Sequence, residues 1–111
     1  MDMEQLLRQC KFSKRYQGYQ AFLECLYIAL ENEESLLYIT GIYMDVGQKS
    51  HVSWKRVERN IRTMLDYSWR TGGKEQLESL SGGALYEKPT TGEVLEILTC
   101  YIKEHTNIDS V

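Results

Sequence analysis

The chain has few of the features that announce a chemistry. Its two histidines, His51 and His105, lie far apart, and none of its three cysteines stands within four residues of another. A zinc site built on local Cys or His spacing therefore has no signature here, and no metal is expected. His51 reads as an exposed turn residue. No G-x-S-x-G elbow, P-loop or dinucleotide fingerprint occurs, and Gly72-Gly73 and Gly82-Gly83 suit a helix exit and a loop better than a phosphate cradle. With no nucleophile and base in recognisable array, neither an enzyme nor a cofactor is expected. One proline in 111 residues and no low-complexity run set aside disordered and fibrous classes. No apolar run reaches the length of a membrane span, and the opening MDMEQLLRQC is acidic where a secretory signal would be basic. The expected setting is the cytoplasm, with no membrane partner.

What remains is a chain of ordinary globular composition, of a length for one domain over 1–111. Cys10, Cys25 and Cys100 are odd in number and have apolar neighbours, so they read as reduced core cysteines. Tyr19, Tyr27, Tyr43 and Tyr101 lie on or beside apolar stripes and are expected in the core. The formal net charge of −3 argues against a general affinity for polyanions, but it hides a local excess. From Val52 to Arg70, five bases (Lys55, Arg56, Arg59, Arg62, Arg70) face two acids (Glu58, Asp66), which gives +3 and leaves −6 for the rest.

Hydrophobic periodicity predicts an all-α fold. Residues 3–12 can form a short amphipathic helix carrying Leu6, Leu7 and Cys10. The stretch from Gly18 to Asn32 places Tyr19, Phe22, Leu23, Leu26, Ala29 and Leu30 at helical spacing. After a break at NEES, Leu36, Leu37, Ile39, Ile42 and Tyr43 resume that period. HVS then reads as a turn, with Ser53 as N-cap of a helix opening at Trp54. At 100° per residue, Val57, Ile61, Met64, Leu65 and Ser68 share an arc of roughly 100°, while Lys55, Arg59, Arg62, Asp66 and Arg70 gather opposite. The helix is expected to stop at Gly72-Gly73. A weak helix and a loop follow, and then T-x-x-E at Thr90 and Glu93, the capping-box spacing, ahead of a stripe of Val94, Leu95, Leu98, Tyr101 and Ile102.

A short helix, a three-residue turn and a longer helix with an exposed basic face form the pattern of a helix-turn-helix DNA reader. Arginine can donate two hydrogen bonds to O6 and N7 of guanine, lysine can neutralise phosphate, and a glutamate can accept from the N4 amine of cytosine. The charge pattern has a second reading. Glu58, Arg62, Asp66 and Arg70 alternate in sign at four-residue intervals, the spacing of a surface salt-bridge ladder worth a few tenths of a kcal/mol per pair.

At RVERNIR the chain resembles the C-terminal DNA-binding effector domain of the stage-zero sporulation response regulator. The matching residues are Arg56 to Arg59, Ile61, Arg62 and Trp69, with further landmarks at Gly18-Tyr19, Tyr43 and Asp45, and Lys88 to Thr90 with Glu93. They follow the family's order over roughly residues 6 to 105. The resemblance implies a compact bundle of five to six helices around a helix-turn-helix, winged-helix-like in the manner of response-regulator effector domains. It also implies sequence-specific binding of double-stranded DNA in transcriptional regulation, with the helix from Trp54 to Thr71 in the major groove. Arg56, Glu58, Arg59 and Arg62 fall on DNA-facing positions. Arg62 is the first candidate for guanine, with Glu58 reading an adjacent base or orienting Arg62, and Ser53 and Lys55 suit phosphate. The segment Arg70 to Ser81 corresponds to the family's contact with the sigma subunit of RNA polymerase, and self-association on repeated DNA boxes is a further family trait.

Three departures shape the alternative. If the sequence is a complete gene product, no receiver domain is expected ahead of Met1; Trp54 adds bulk where the family tends to have a small residue, and the stretch from Gly73 to Lys88 looks shorter. On that alternative the chain is a degenerate effector domain, a protein-interaction module that modulates a full-length regulator or RNA polymerase.

Overall fold

The apolar stripes become helices. The computed structural model describes residues 2–106, so the expected domain limits at 1 and 111 lie outside the described residues. The chain runs α1 (Met3–Gln9), α2 (Gln17–Glu31), a 3-10 segment (Glu33–Tyr38), α3 (Ile39–Ser50), α4 (Trp54–Ser68), a π-like turn (Trp69–Gly73), α5 (Lys74–Ser81) and α6 (Thr91–Thr106). No strand occurs among the described residues, so the helix-turn-helix of α3 and α4 carries no β wing there. No helix among them is long and apolar enough to cross a membrane.

Helices α2, α4 and α6 meet around one core. Phe22, Leu26, Ile61, Met64, Leu95 and Leu98 are all almost fully buried in it. A close helix crossing is made at Gly18. A Cβ built there would lie 2.3 Å from the carbonyl oxygen of Asn60 and 2.9 Å from Cα of Ile61, so only glycine lets the start of α2 rest on the backbone of α4. That contact seats the basic helix on the body of the protein. A second tie joins its far end to α1, where the buried Ser68 hydroxyl donates to the carbonyl of Cys10 at 2.5 Å.

Several expectations hold in detail. Thr90 and Glu93 form a reciprocal capping box, with Thr90 N donating to Glu93 Oε1 at 2.8 Å and Glu93 N donating to Thr90 Oγ1 at 3.1 Å. The glycine exit after α4 is a kink at Thr71 and Gly72, from which α5 restarts directly at Lys74.

Others are corrected. Cys10 and Cys25 are buried, and burial pushes both thiols up to about 12, but Cys100 is exposed. On α6 it points about 200° away from the buried Leu98, off the apolar stripe, at 100° per residue. Tyr19 and Tyr43 are buried and Tyr101 is half-buried, whereas Tyr27 is 50% exposed, on the side of α2 that carries the exposed Gln20 and Glu31. Leu37, expected within an apolar period, is 89% exposed, because Glu33 to Tyr38 wind as a 3-10 helix with its shorter repeat and α3 begins only at Ile39.

Candidate nucleic-acid interface

The turn between α3 and α4 is built from local chemistry. α3 ends at His51 in a left-handed conformation (φ 59°), exposed as expected of a turn residue. The chain then folds back closely enough that a Cβ on Gly47 would sit 2.6 Å from the carbonyl oxygen of Val52. Ser53 is extended, and its hydroxyl accepts from Arg56 N at 3.2 Å, capping the first turn of α4. Such a cap stabilises a helix by about 1 kcal/mol.

The buried stripe of α4 is the expected one: Val57, Ile61, Met64, Leu65 and Ser68. Opposite it, Lys55, Arg56, Arg59 and Arg62 are all exposed, and so is Ser53. Lys55, Arg59 and Arg62 fall within about 60° of one another around the axis, with Arg56 about 60° further round, at 100° per residue. Among the described residues, Lys55, Arg56 and Arg59 form no ion pair. Lys55 Nζ instead lies 5.9 Å from the Trp54 ring centroid. Trp54 itself packs against the edge of the core, so its bulk is half-buried beneath the lysine rather than projecting from the face.

The ladder exists only in part. Glu58 Oε1 and Arg62 Nη1 pair at 3.0 Å, but Asp66 pairs with Lys88, in the loop before α6, and Arg70 Nε donates to the backbone carbonyl of Asp66 at 3.3 Å. One rung of the four-residue spacing is therefore made and the next is diverted into a tertiary contact.

Glu58 differs from its basic neighbours. Its side chain is 22% exposed against 55% for Arg62, and it lies toward α6, where the buried Thr91 hydroxyl is 3.5 Å from Oε2. Thr91 also bonds the hydroxyl of buried Tyr43 on α3, at 2.5 Å. Burial pushes the Tyr43 phenol up to about 12. Sequence reading named Ser53, Lys55, Arg56, Glu58, Arg59 and Arg62. It did not find Thr91, Tyr43 or Lys88, which reach α4 from other parts of the chain. Tyr43 was expected in the core and, like Lys88, served as a landmark, but nothing in their local spacing points to Glu58 or Asp66.

Among the described residues no group of three or more His, Cys, Asp or Glu can hold a metal ion. A cavity of about 350 Å³ lies away from α4 between α5 and α6, lined by Leu80, Leu85, Ile97, Glu93, Glu96 and Glu104 among others.

A family model described as the sporulation initiation factor Spo0A C terminal matches residues 3–102. The match extends from the first residue of α1 to Ile102 in α6, and so takes in the whole core together with the helix-turn-helix. The landmarks that carry the likeness have structural work to do: Gly18 seats α4, Tyr43 lies behind it, and Thr90 with Glu93 caps α6. The chain belongs to the Spo0A C-terminal family, the DNA-binding effector domain of a sporulation regulator, a transcription-factor domain and not an enzyme.

Proposed function

We propose that the protein is a sequence-specific, double-stranded DNA-binding regulator whose α4 enters the major groove. The observation that carries this reading is the row of exposed bases on α4, of which Lys55, Arg56 and Arg59 form no ion pair among the described residues, raised on a capped turn and backed by a buried stripe. Arg62, held by Glu58 yet more than half exposed, is the base reader, with guanine as the preferred partner. Arg56 and Arg59 divide base and phosphate contacts, while Ser53 and Lys55, at the start of the helix, hold the DNA backbone. The acidic remainder of the chain keeps phosphate from other faces. Arg70 to Ser81, with exposed Arg70 and Thr71, is the candidate contact for the sigma subunit, and copies associate side by side on repeated sites.

The test is selection of bound duplexes from a random pool, followed by titration of the winning duplex and a scrambled one. Arg62→Ala is expected to lose about 1–3 kcal/mol of discrimination between the two. An Arg62→Ala protein that discriminates as well as the unaltered one contradicts the assignment. A second reading, an interaction module that has left DNA, draws on the apolar cavity between α5 and α6 with its acidic rim. It is favoured if no duplex is enriched even at low salt.

A further inference from the structure

The geometry points to Thr91 and Tyr43, two buried residues outside the reading helix, as positioning residues that set the aim of Arg62 through Glu58. This inference rests on the reading of α4 given above.

The direction of the hydrogen bonds follows from elementary chemistry. An ionised carboxylate only accepts, so the Thr91 hydroxyl uses its one proton toward Glu58 Oε2. Thr91 Oγ1 is then left as an acceptor, and the Tyr43 hydroxyl, 2.5 Å away, must donate to it. The other oxygen of Glu58 meets Arg62 Nη1 at 3.0 Å. The order is thus Tyr43 to Thr91 to Glu58 to Arg62, from the interior of the first helix of the motif to the exposed face of the second.

Each member has a reason to stay in place. Tyr43 and Thr91 are 4% and 8% exposed, and side chains buried in a close-packed interior have little room to change rotamer. Thr91 is the first residue of α6, whose start is held by the capping box, and a helix N-terminus favours a nearby carboxylate. Glu58 is therefore anchored at one oxygen and offers the other in a fixed direction. An isolated i,i+4 pair on a helix surface leaves both side chains free to exchange partners and contributes little. A pair anchored from behind presents one orientation of a long arginine to the groove, and order established before binding is not lost on binding. The Thr91 to Glu58 contact is long at 3.5 Å, so its expected effect is modest.

The test compares Thr91→Val, Thr91→Ser and Tyr43→Phe, each with and without Arg62→Ala, on the selected duplex and its scrambled control. Thr91→Val is expected to reduce the specific-to-scrambled affinity ratio about three- to tenfold, with scrambled binding and its salt dependence unchanged. Thr91→Ser should restore the ratio, and in the Arg62→Ala background Thr91→Val should have no further effect. The proposal is overturned if folded Thr91→Val discriminates like the unaltered protein, or if its loss is the same without Arg62. Should Thr91→Val fail to fold, Tyr43→Phe carries the same comparison with a smaller change. A second readout does not involve DNA: the Arg62 Nε–Hε resonance of the free protein should be shifted and ordered, and should collapse toward the averaged arginine position in Thr91→Val. If no duplex is discriminated by any version, the reading of α4 has failed, and that resonance still decides the relay: collapse supports it and an unchanged signal overturns it.

Discussion

Two faces of this small protein use charge in opposite ways. On α4, Lys55, Arg56 and Arg59 stand exposed without ion pairs among the described residues, above a stripe that is wholly buried. Around the cavity between α5 and α6, Glu93, Glu96 and Glu104 line a partly apolar surface to which no lysine or arginine contributes among the described residues. Like charges gathered on one face repel one another, and neither face is arranged to favour folding. The difference lies in what stands behind them. The basic face has a rigid seat: Gly18 beneath it, Ser53 capping it and Glu58 braced from α6. On the acidic face, Glu93 is occupied in the capping box and Glu104 accepts from the Cys100 thiol at 3.5 Å. Charge held on a rigid element is what a reading surface requires, since discrimination depends on directed hydrogen bonds and not on net charge.

The comparison can be broken first at the seat. Gly18→Ala places a methyl 2.3 Å from the Asn60 carbonyl, a clash with backbone that no rotamer relieves. It is expected to lower stability by about 3 kcal/mol, read from denaturant unfolding, and to weaken DNA binding along with it. An Ala variant as stable as the unaltered protein would mean that α2 and α4 do not cross as closely as described.

Alkaline pH tests the core that both faces share. Cys10 and Cys25 have thiols raised from the ordinary 9.0 to about 12, and the phenol of Tyr43 is raised from 10.0 to about 12. The folded protein keeps these protons after the unfolded chain has begun to lose them. The contribution is therefore complete below about pH 9 and is lost as pH climbs toward 12. Melting temperature should be level from pH 7 to 9 and fall beyond it. A flat profile to pH 11 would contradict the burial of these groups.

Smaller changes separate the faces. Lys55→Ala, on the basic face, should weaken binding to selected and scrambled duplexes alike and reduce the salt slope by about 1. A loss confined to the selected duplex would make Lys55 a base reader instead. Glu96→Gln, on the acidic face, is expected to change stability by less than about 0.5 kcal/mol and to leave discrimination unaltered. A marked change in DNA affinity would show that the two faces are electrostatically coupled.

How far this was legible in the sequence depended on range. The α4 stripe, the Ser53 cap and the Thr90–Glu93 box are set by residues within a few positions of one another, and each appears where the spacing puts it. Cys100 and Tyr27 were misplaced because they neighbour apolar stripes in sequence while pointing off them in space. Leu37 was misplaced because a 3-10 segment changes the repeat on which its placement relied. The contacts that define Glu58 and Asp66 span 33 and 22 positions, and that between Thr91 and Tyr43 spans 48. No local pattern encodes them. The ambiguity between ladder and reader was thus real at the level of sequence, and tertiary structure divides it: Glu58 and Arg62 form the one rung, and Asp66 turns away to Lys88.

The most direct test of the central claim is the affinity ratio of Arg62→Ala between a duplex selected from a random pool and its scrambled counterpart, measured at several salt concentrations. The account predicts a ratio reduced by about 1–3 kcal/mol relative to the unaltered protein, with scrambled binding nearly unchanged apart from the loss of one charge. An undiminished ratio, or equal losses on both duplexes, would mean that α4 binds DNA without reading it through Arg62.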